Sequence, residues 1–377
     1  MNTPPKYSVR NILIDNNWEI YKINHPELDR YIINEIEKML DCCNPEKGFF
    51  YGYCENCKKE IIMHIKCNGK VCSRCGKQYV DRWVDKAKKK IFNEPHKLVS
   101  LTIPADLRKI FDGRWDLMQL LQDSAYETIT ITAEKTLRKK VKVGMLVGLQ
   151  TYGQDMKLHP HLHCAVLEKV NYKGKLIDFK YIPSECLRRV WRNVIVKNLC
   201  KAKISYEEKE LAYSMLDRYP AGFVTNVEES KNKIGTIRYL ARYMRHPPIS
   251  NHRIIFYGRG KVIIRMKDKQ RRGYSTWFTV EEFITRLIMH IPPKNFKVVR
   301  WYGLYSRREV RISRIKEIQE TIIPVFEIKK KIIRCPKCKS PLKNVICIIN
   351  KPPDKKKLMN ELNYWIDGLV SMPKALS

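Results

Sequence analysis

The sequence predicts an α+β protein built on an antiparallel sheet, and three features predict it. Strand-like stretches at 143–152 and 161–170 are joined by a short loop, as in a hairpin. Short strands alternate with turns between 249 and 278. Helical patterns fill 105–140 and 184–217.

Each element has a local reason. Leu28, Tyr31, Ile32, Ile36 and Leu40 recur at helical spacing between Pro26 and Leu40, ahead of a cysteine-dense module that runs to about residue 80. Tyr79–Phe92 reads as an amphipathic basic helix, and Leu98–Ile103 as a strand ended by Pro104. The central strand pair turns around Asp155–Leu158, and Lys175–Ile182 adds a strand closed by Pro183. Gly222–Val227 reads as a strand leading into a basic helix, Lys231–Arg245, stopped by Pro247 and Pro248. A helix over Val280–His290 ends before Pro292-Pro293, and a strand follows near Phe296–Trp301. A basic helix near Ser306–Thr321 and a small cysteine-bearing tail complete the chain, which has no internal repeat or low-complexity tract.

At 377 residues and 44% hydrophobic, the chain can bury two or three substantial cores. Its 73 Lys and Arg against 39 Asp and Glu give a net charge of +34, spread along the chain rather than gathered in a tail. Such an excess favours a polyanion, because each neutralised phosphate releases counterions. No apolar run reaches membrane-spanning length, and the start Met-Asn-Thr-Pro-Pro-Lys has no signal core, so a cytoplasmic, nucleoid-associated location is expected. In a reducing compartment the 13 cysteines read as metal ligands and buried thiols.

Two Cys-x2-Cys knuckles, Cys54–Cys57 and Cys72–Cys75, carry the strongest metal signal. Each offers two thiolates to one ion, and together they complete a tetrahedron for structural Zn2+. Cys67 with Cys42, Cys43 or His64 is a candidate set for a second ion. Cys335-Pro-Lys-Cys338 is a further knuckle with no obvious second pair, unless it recruits Cys347.

His159-Pro-His161-Leu-His163 lies on the second central strand, where His161 and His163 point to one face and can grip one metal ion. A loop centred between Met156 and Lys157 would set Gln150 opposite His163 and Tyr152 opposite His161. Gln150 is then a third, oxygen ligand, with Gln154 its alternative if the register slips. Tyr239 and Tyr243 lie one helical turn apart, so both phenols can reach one site, among Arg238, Arg242 and Arg245. Arginine forks match phosphate oxygens, and a metal beside a phenol favours attack on a phosphate.

With these residues in place the sequence resembles the two-tyrosine rolling-circle transposases of bacterial and archaeal insertion sequences, within the His-hydrophobe-His (HUH) endonucleases. The resemblance spans roughly residues 25–310. It rests on the cysteine module ending Cys72-Ser-Arg-Cys75, the block Leu149 to His163, the segments Tyr239–Arg245 and Ile249–Arg253, and Glu282–Arg286 through Arg300–Gly303.

The resemblance implies a ferredoxin-like HUH core with helical insertions. It divides the chain into a helical and zinc-binding domain (1–95), a nuclease domain (96–305) and a basic extension bearing the last knuckle (306–377). His161 and His163 would hold Mg2+ or Mn2+; family members often have His where this chain has Gln150. Tyr239 and Tyr243 would be catalytic, cleaving single-stranded DNA through 5′-phosphotyrosine links and rejoining it without ATP. Arg242, Arg245, Asn251 and Arg253 become candidate DNA contacts. The implied partner is single-stranded or hairpin DNA at transposon ends, an oligomer being compatible with this. The rival readings are a plasmid replication initiator or relaxase with the same chemistry, and a non-enzymatic zinc-dependent DNA-binding regulator. The regulator would have no need of two histidines and two tyrosines together.

Overall fold

The structure, a computed structural model, describes residues 5–88, 90–230, 233–241, 248–268, 270, 272–306 and 333–348. In chain order it runs α1 (Val9–Ile12), α2 (Trp18–Asn24), α3 (Arg30–Leu40), β1 (Phe49–Cys54), β2 (Lys59–His64) and α4 (Ser73–Lys88). Then come β3 (His96–Thr102), α5 (Trp115–Leu137), β4 (Lys142–Tyr152), β5 (Leu158–Tyr172) and β6 (Lys175–Asp178). They are followed by α6 (Ser184–Lys201), α7 (Tyr206–Arg218), β7 (Thr225–Ser230) and α8 (Lys233–Ala241). The last elements are β8 (Ile254–Gly258), β9 (Lys261–Lys267), β10 (Gly273–Thr279), α9 (Val280–Ile288), β11 (Val299–Gly303) and β12 (Lys343–Ile348). The chain divides into two compact units, Met1–Ile36 with Gly69–Glu317, and Glu37–Asn68 with Ile318–Ser377.

The first unit is organised by an antiparallel sheet of order β11-β4-β5-β3-β7, with β6 added to β5. This is the antiparallel α+β architecture that the strand pattern predicts. Alternation gives the sheet two different faces. Val99, Leu101, Val147, Leu149, Leu162 and Val166 point to one side and are buried against α5 and α6. Helix α5 presents Leu117, Leu121, Ala125, Ile129 and Ala133 at four-residue spacing, all but Leu117 fully buried. Helix α6 contributes Leu187, Trp191 and Ile195, and the Trp191 indole N–H donates to the carbonyl of Thr102 at 2.7 Å, fixing that helix to β3. The chain returns from α7 through Gly222, whose φ is +85°. A Cβ there would lie 2.3 Å from the Arg188 backbone, so only glycine fits.

The other face is apolar at one end, where Leu98, Leu146, Ala165 and Leu167 meet Val84 and Ala87 of α4 and Ile237, Leu240 and Ala241 of α8. Along the same strands this face turns polar. That change, at the next residue pair on this face, positions the candidate site. A second antiparallel sheet, β10-β9-β8, packs one face on α9, where Phe283, Ile284 and Leu287 are buried. Helix α9 starts in a capping box between Thr279 and Glu282, which satisfies its first free N–H groups.

In the second unit β1 and β2 form a hairpin, and β12 pairs antiparallel with β1 on its other side. The boundary placed at 306 from the sequence therefore does not isolate the tail, since residues 343–348 complete a sheet begun at 49–54. Phe50, Ile61, Met63, Ile333 and Leu342 are buried together in this unit. No helix among the described residues is long and apolar enough to cross a membrane.

Candidate active site and cysteine centre

On the polar half of the sheet, β5 carries His161 and His163 side by side on one face, with ring centroids 5.0 Å apart. Strand β3 sets Thr102 opposite His161 and Ser100 opposite His163. Strand β4 sets Gln150 opposite His161 and Gly148 opposite His163. The sequence placed Gln150 opposite His163, two positions away. The turn is centred one residue earlier than expected: Gly153 N–H bonds to Lys157 O at 3.1 Å, Met156 takes φ +59°, and the register shifts between Gln150 and Tyr152. A slip of two keeps the pleat parity, so Gln150 stays on the histidine face.

The His161 ring donates Nδ1–H to the carbonyl of His159 at 2.7 Å, leaving the Nε2 lone pair directed away from its own strand. Burial pulls the pKa of His161 below the ordinary histidine value, and the Arg108 guanidinium on the 3-10 turn Ala105–Phe111 pulls it further. Burial, with Arg108 and His161 adding to it, also brings His159 down to about 4. These rings are neutral at pH 7, the form that ligates a metal. Tyr239 reaches over from α8, its hydroxyl 2.8 Å from His163 Nδ1, and Ser100 Oγ lies 3.3 Å from that nitrogen and 3.4 Å from the phenol oxygen. Two imidazoles, an amide oxygen and a phenol thus share one half-buried patch. The donor set suits a divalent ion of the Mg2+ or Mn2+ type held by nitrogen and oxygen ligands.

The other residues expected here have different surroundings. Gln154 accepts the Lys267 N–H at 2.9 Å through Oε1, and its own carbonyl accepts from Arg253. Arg253 also donates to Arg265 O at 3.0 Å, and Asn251 Oδ1 accepts the Val9 N–H at 3.1 Å. Gln154 and Arg253, together with Arg286, which donates to Asp155 O at 3.1 Å, fasten the loop that leads into β5. Tyr243, Arg242 and Arg245 lie outside the described residues. Sequence reasoning missed Ser100, Arg108 and His290. The buried His290 accepts from Thr151 at 3.0 Å and donates to Met156 O at 2.9 Å, and burial lowers its pKa to about 4. No local pattern marks any of the three: strand pairing places Ser100 opposite His163, Arg108 sits on the turn after β3, and His290 follows α9.

The cysteines correct the zinc expectation. Cys54 and Cys57 gather with Cys335 and Cys338, every sulfur within 4.8 Å of the others, instead of with Cys72 and Cys75. Cys54 Sγ lies 3.4 Å from Cys338 Sγ, and Cys57 Sγ 3.9 Å from Cys335 Sγ. The cause is β12, whose pairing with β1 carries the distant knuckle onto the first. Hydrogen bonds from Ser340 and Asn56 hold Cys338 down to about 5, and hydrogen bonding to Cys338 and Cys54 pushes Cys57 up to about 12. Four cysteine sulfurs from two knuckles, all within 4.8 Å of one another, suit Zn2+, which binds cysteines as thiolates. Cys72 and Cys75 are buried at the start of α4, and Cys42, Cys43 and Cys67 are half-buried.

Residues 144–312 match the family described as "Putative transposase", and residues 13–103 match "Transposase zinc-binding domain". The chain is 26% identical over 294 residues to the transposase for insertion sequence element IS801 of Pseudomonas savastanoi pv. phaseolicola, covering 73% of this chain and 70% of that protein. It is 23% identical over 333 residues to "Putative transposase y4qJ" of Sinorhizobium fredii, covering 81% and 83%. No solved structure matches the chain. The first match contains His161, His163, Tyr239 and Tyr243, while Cys335 and Cys338 lie outside both.

Proposed function

For a chain that belongs to the transposases carrying an N-terminal zinc-binding domain, we propose that it nicks and rejoins single-stranded DNA at transposon ends through Tyr239 and Tyr243. The observation that carries this reading is the Tyr239 hydroxyl at 2.8 Å from His163, beside His161 on the same face. His161 and His163, with Gln150 as the oxygen ligand, would hold Mg2+ or Mn2+. Bound there, the ion would draw charge from the scissile phosphate and make its phosphorus more electrophilic.

The chain's own groups supply the rest. A phenol has a pKa near 10 and needs its proton taken as it attacks. With Nε2 on the ion, His163 Nδ1 carries the remaining ring proton and donates it in a hydrogen bond to the phenolate as the Tyr239 proton passes to solvent, with Ser100 Oγ beside both atoms. The phenol oxygen bonds to phosphorus, the bond from phosphorus to the 3′-oxygen breaks, and that oxygen takes up a proton. A 5′-phosphotyrosine and a free 3′-hydroxyl result. In rejoining, a 3′-hydroxyl attacks the same phosphorus and the tyrosine leaves, so the phosphodiester energy is conserved in the protein link.

Gln150 is preferred to Gln154 as ligand because the Gln154 oxygen already accepts from Lys267. Zn2+ at Cys54, Cys57, Cys335 and Cys338 is structural, having no open position for chemistry. Cys72 and Cys75, with Cys42, Cys43 and Cys67 as the remaining nearby thiols in sequence, are the set for a second ion. Incubation with single strands from the element's ends tests the proposal: a covalent adduct on a denaturing gel is expected with Mn2+ or Mg2+ and none in their absence. Metal-independent adduct formation would overturn the assignment of His161 and His163.

A further inference from the structure

The sheet β10-β9-β8 turns one face to α9 and the other outward, and the outward face is neither polar nor evenly charged. Its register aligns Phe256, Ile263 and Trp277 in one row across all three strands. Phe256 is 38% and Trp277 56% exposed, on the two strands that flank β9. Along β9 the positions flanking Ile263 on this face are Lys261 on one side, then Arg265 and Lys267 on the other, all exposed. Among the described residues none of these three cations has an acidic partner. The nearby Asp268 is held by Arg272 at 2.7 Å. Lys261 Nζ lies 4.6 Å from the Trp277 ring centroid.

Rows of this kind suit one class of ligand. Aromatic side chains on a sheet accept unpaired bases by stacking, while the cations beside them meet the phosphates. A duplex hides its base faces and cannot use the aromatic row. The sheet is also tied to the loop that precedes the histidine strand. The Lys267 N–H, at the end of β9, donates to Gln154 in the loop that leads into the His161–His163 strand.

We propose that the outer face of β8–β10 is a stacking platform for single-stranded DNA, with Trp277 and Phe256 taking bases and Lys261, Arg265 and Lys267 taking phosphates. This rests on the nuclease reading for the identity of the substrate, but it is tested without cleavage. The full-length protein, without added divalent metal, is titrated with fluorescein-labelled poly(dT) and with a mixed-sequence duplex, followed by fluorescence anisotropy. Trp277→Ala/Phe256→Ala should weaken binding of the single strand at least tenfold, because each lost stack is worth about 1–3 kcal/mol and about 1.4 kcal/mol is tenfold. Duplex affinity should stay within about twofold, since only bases that can unstack use the row.

Trp277→Phe/Phe256→Tyr should bind the single strand as the parent does. Replacing Lys261, Arg265 and Lys267 by Ala should reduce the salt slope of single-strand binding by about two. Unchanged single-strand affinity in the double alanine variant would overturn the proposal. So would an equal loss for strand and duplex, or a loss that the aromatic replacements do not rescue, which would point to a fold effect or a protein-docking face. A chain that forms no tyrosine adduct would sink the nuclease reading and leave this binding result intact.

Discussion

The hydroxyl of Tyr239 lies 2.8 Å from Nδ1 of His163, so one helix and one strand bring the proposed nucleophile and a proposed metal ligand to the same point. Helix α8 reaches that point because Ile237, Leu240 and Ala241 are buried on the apolar half of the sheet face whose polar half holds the histidines. Sheet packing thus sets the distance on which the chemistry depends. His163→Ala should lower adduct formation about a hundredfold or more, on the scale of losing a metal contact together with the hydrogen bond to the phenol. Ser100→Ala should cost about tenfold or less, because its hydroxyl lies at 3.4 Å, the more distant of the two groups beside the phenol oxygen. Single-turnover rates with saturating Mn2+ decide this, and equal effects of the two substitutions would contradict it.

The two glutamines separate by function. Gln150→Ala should raise the Mn2+ concentration needed for half-maximal cleavage about tenfold, whereas Gln154→Ala should leave it unchanged and lower the melting temperature instead. Gln154 and Arg253 hold the loop before β5, so Arg253→Ala should behave like Gln154→Ala. Metal titration of the three variants beside thermal melts checks this, and the reverse pattern would identify Gln154 as the ligand.

The zinc pairing gives a count. Cys335→Ser should remove the same ion as Cys54→Ser, and combining the two should remove no more than either alone. Cys72→Ser should leave that ion in place. Zinc content by mass spectrometry of the intact protein under native conditions reads it directly. If Cys335→Ser kept its full zinc while Cys54→Ser and Cys72→Ser lost the same ion, the ribbon expected from the N-terminal sequence would be right.

His290 gives a pH signature. Its pKa falls from 6.5 to about 4 because the ring is buried, so between these values the unfolded chain binds a proton that the folded chain refuses. Its contribution is therefore full above about pH 6.5 and is lost as pH falls toward 4, with a ceiling of about 3 kcal/mol from the linkage relation. The stability gap between wild type and His290→Gln should shrink between pH 7 and pH 4.5 in urea titrations. A gap that widened on acidification would place the ring's pKa on the other side of its ordinary value.

Gly222 is a backbone requirement. Gly222→Ala should destabilise the first unit by roughly 3 kcal/mol or more, because it combines a left-handed φ with a clash against the Arg188 backbone. Thermal denaturation checks this, and a loss below about 1 kcal/mol would mean that α6 shifts easily.

The sequence carried the strands well and the long-range pairings poorly. Val143–Tyr152 and His161–Val170 were legible because alternation and the short loop between them are local signals, and they match β4 and β5 within a few residues. The register was off by two because a turn with a positive φ at Met156 is set by its hydrogen bonds, which composition does not show. The face shared by His161, His163 and Gln150 survived that error because parity did. The partner of Cys54–Cys57 was not legible at all. Cys72–Cys75 is near in sequence, whereas Cys335–Cys338 becomes a neighbour only through β12. Ser100 and Arg108 are unremarkable in their own segments and gain a role only through the β3–β5 ladder and the charge near His161. The short helices α1 and α2 went unpredicted, since neither is long enough to show a helical period.

The central claim is that a tyrosine of this chain becomes joined to DNA. The most direct test is to trap the adduct with a single-stranded end oligonucleotide and Mn2+, digest protein and DNA, and map the modified peptide by mass spectrometry. The account predicts a nucleotide 5′-phosphate on Tyr239 or Tyr243, and no adduct in the Tyr239→Phe/Tyr243→Phe double variant. Nicking without a linked nucleotide, or an adduct that persists in the double variant, would contradict it.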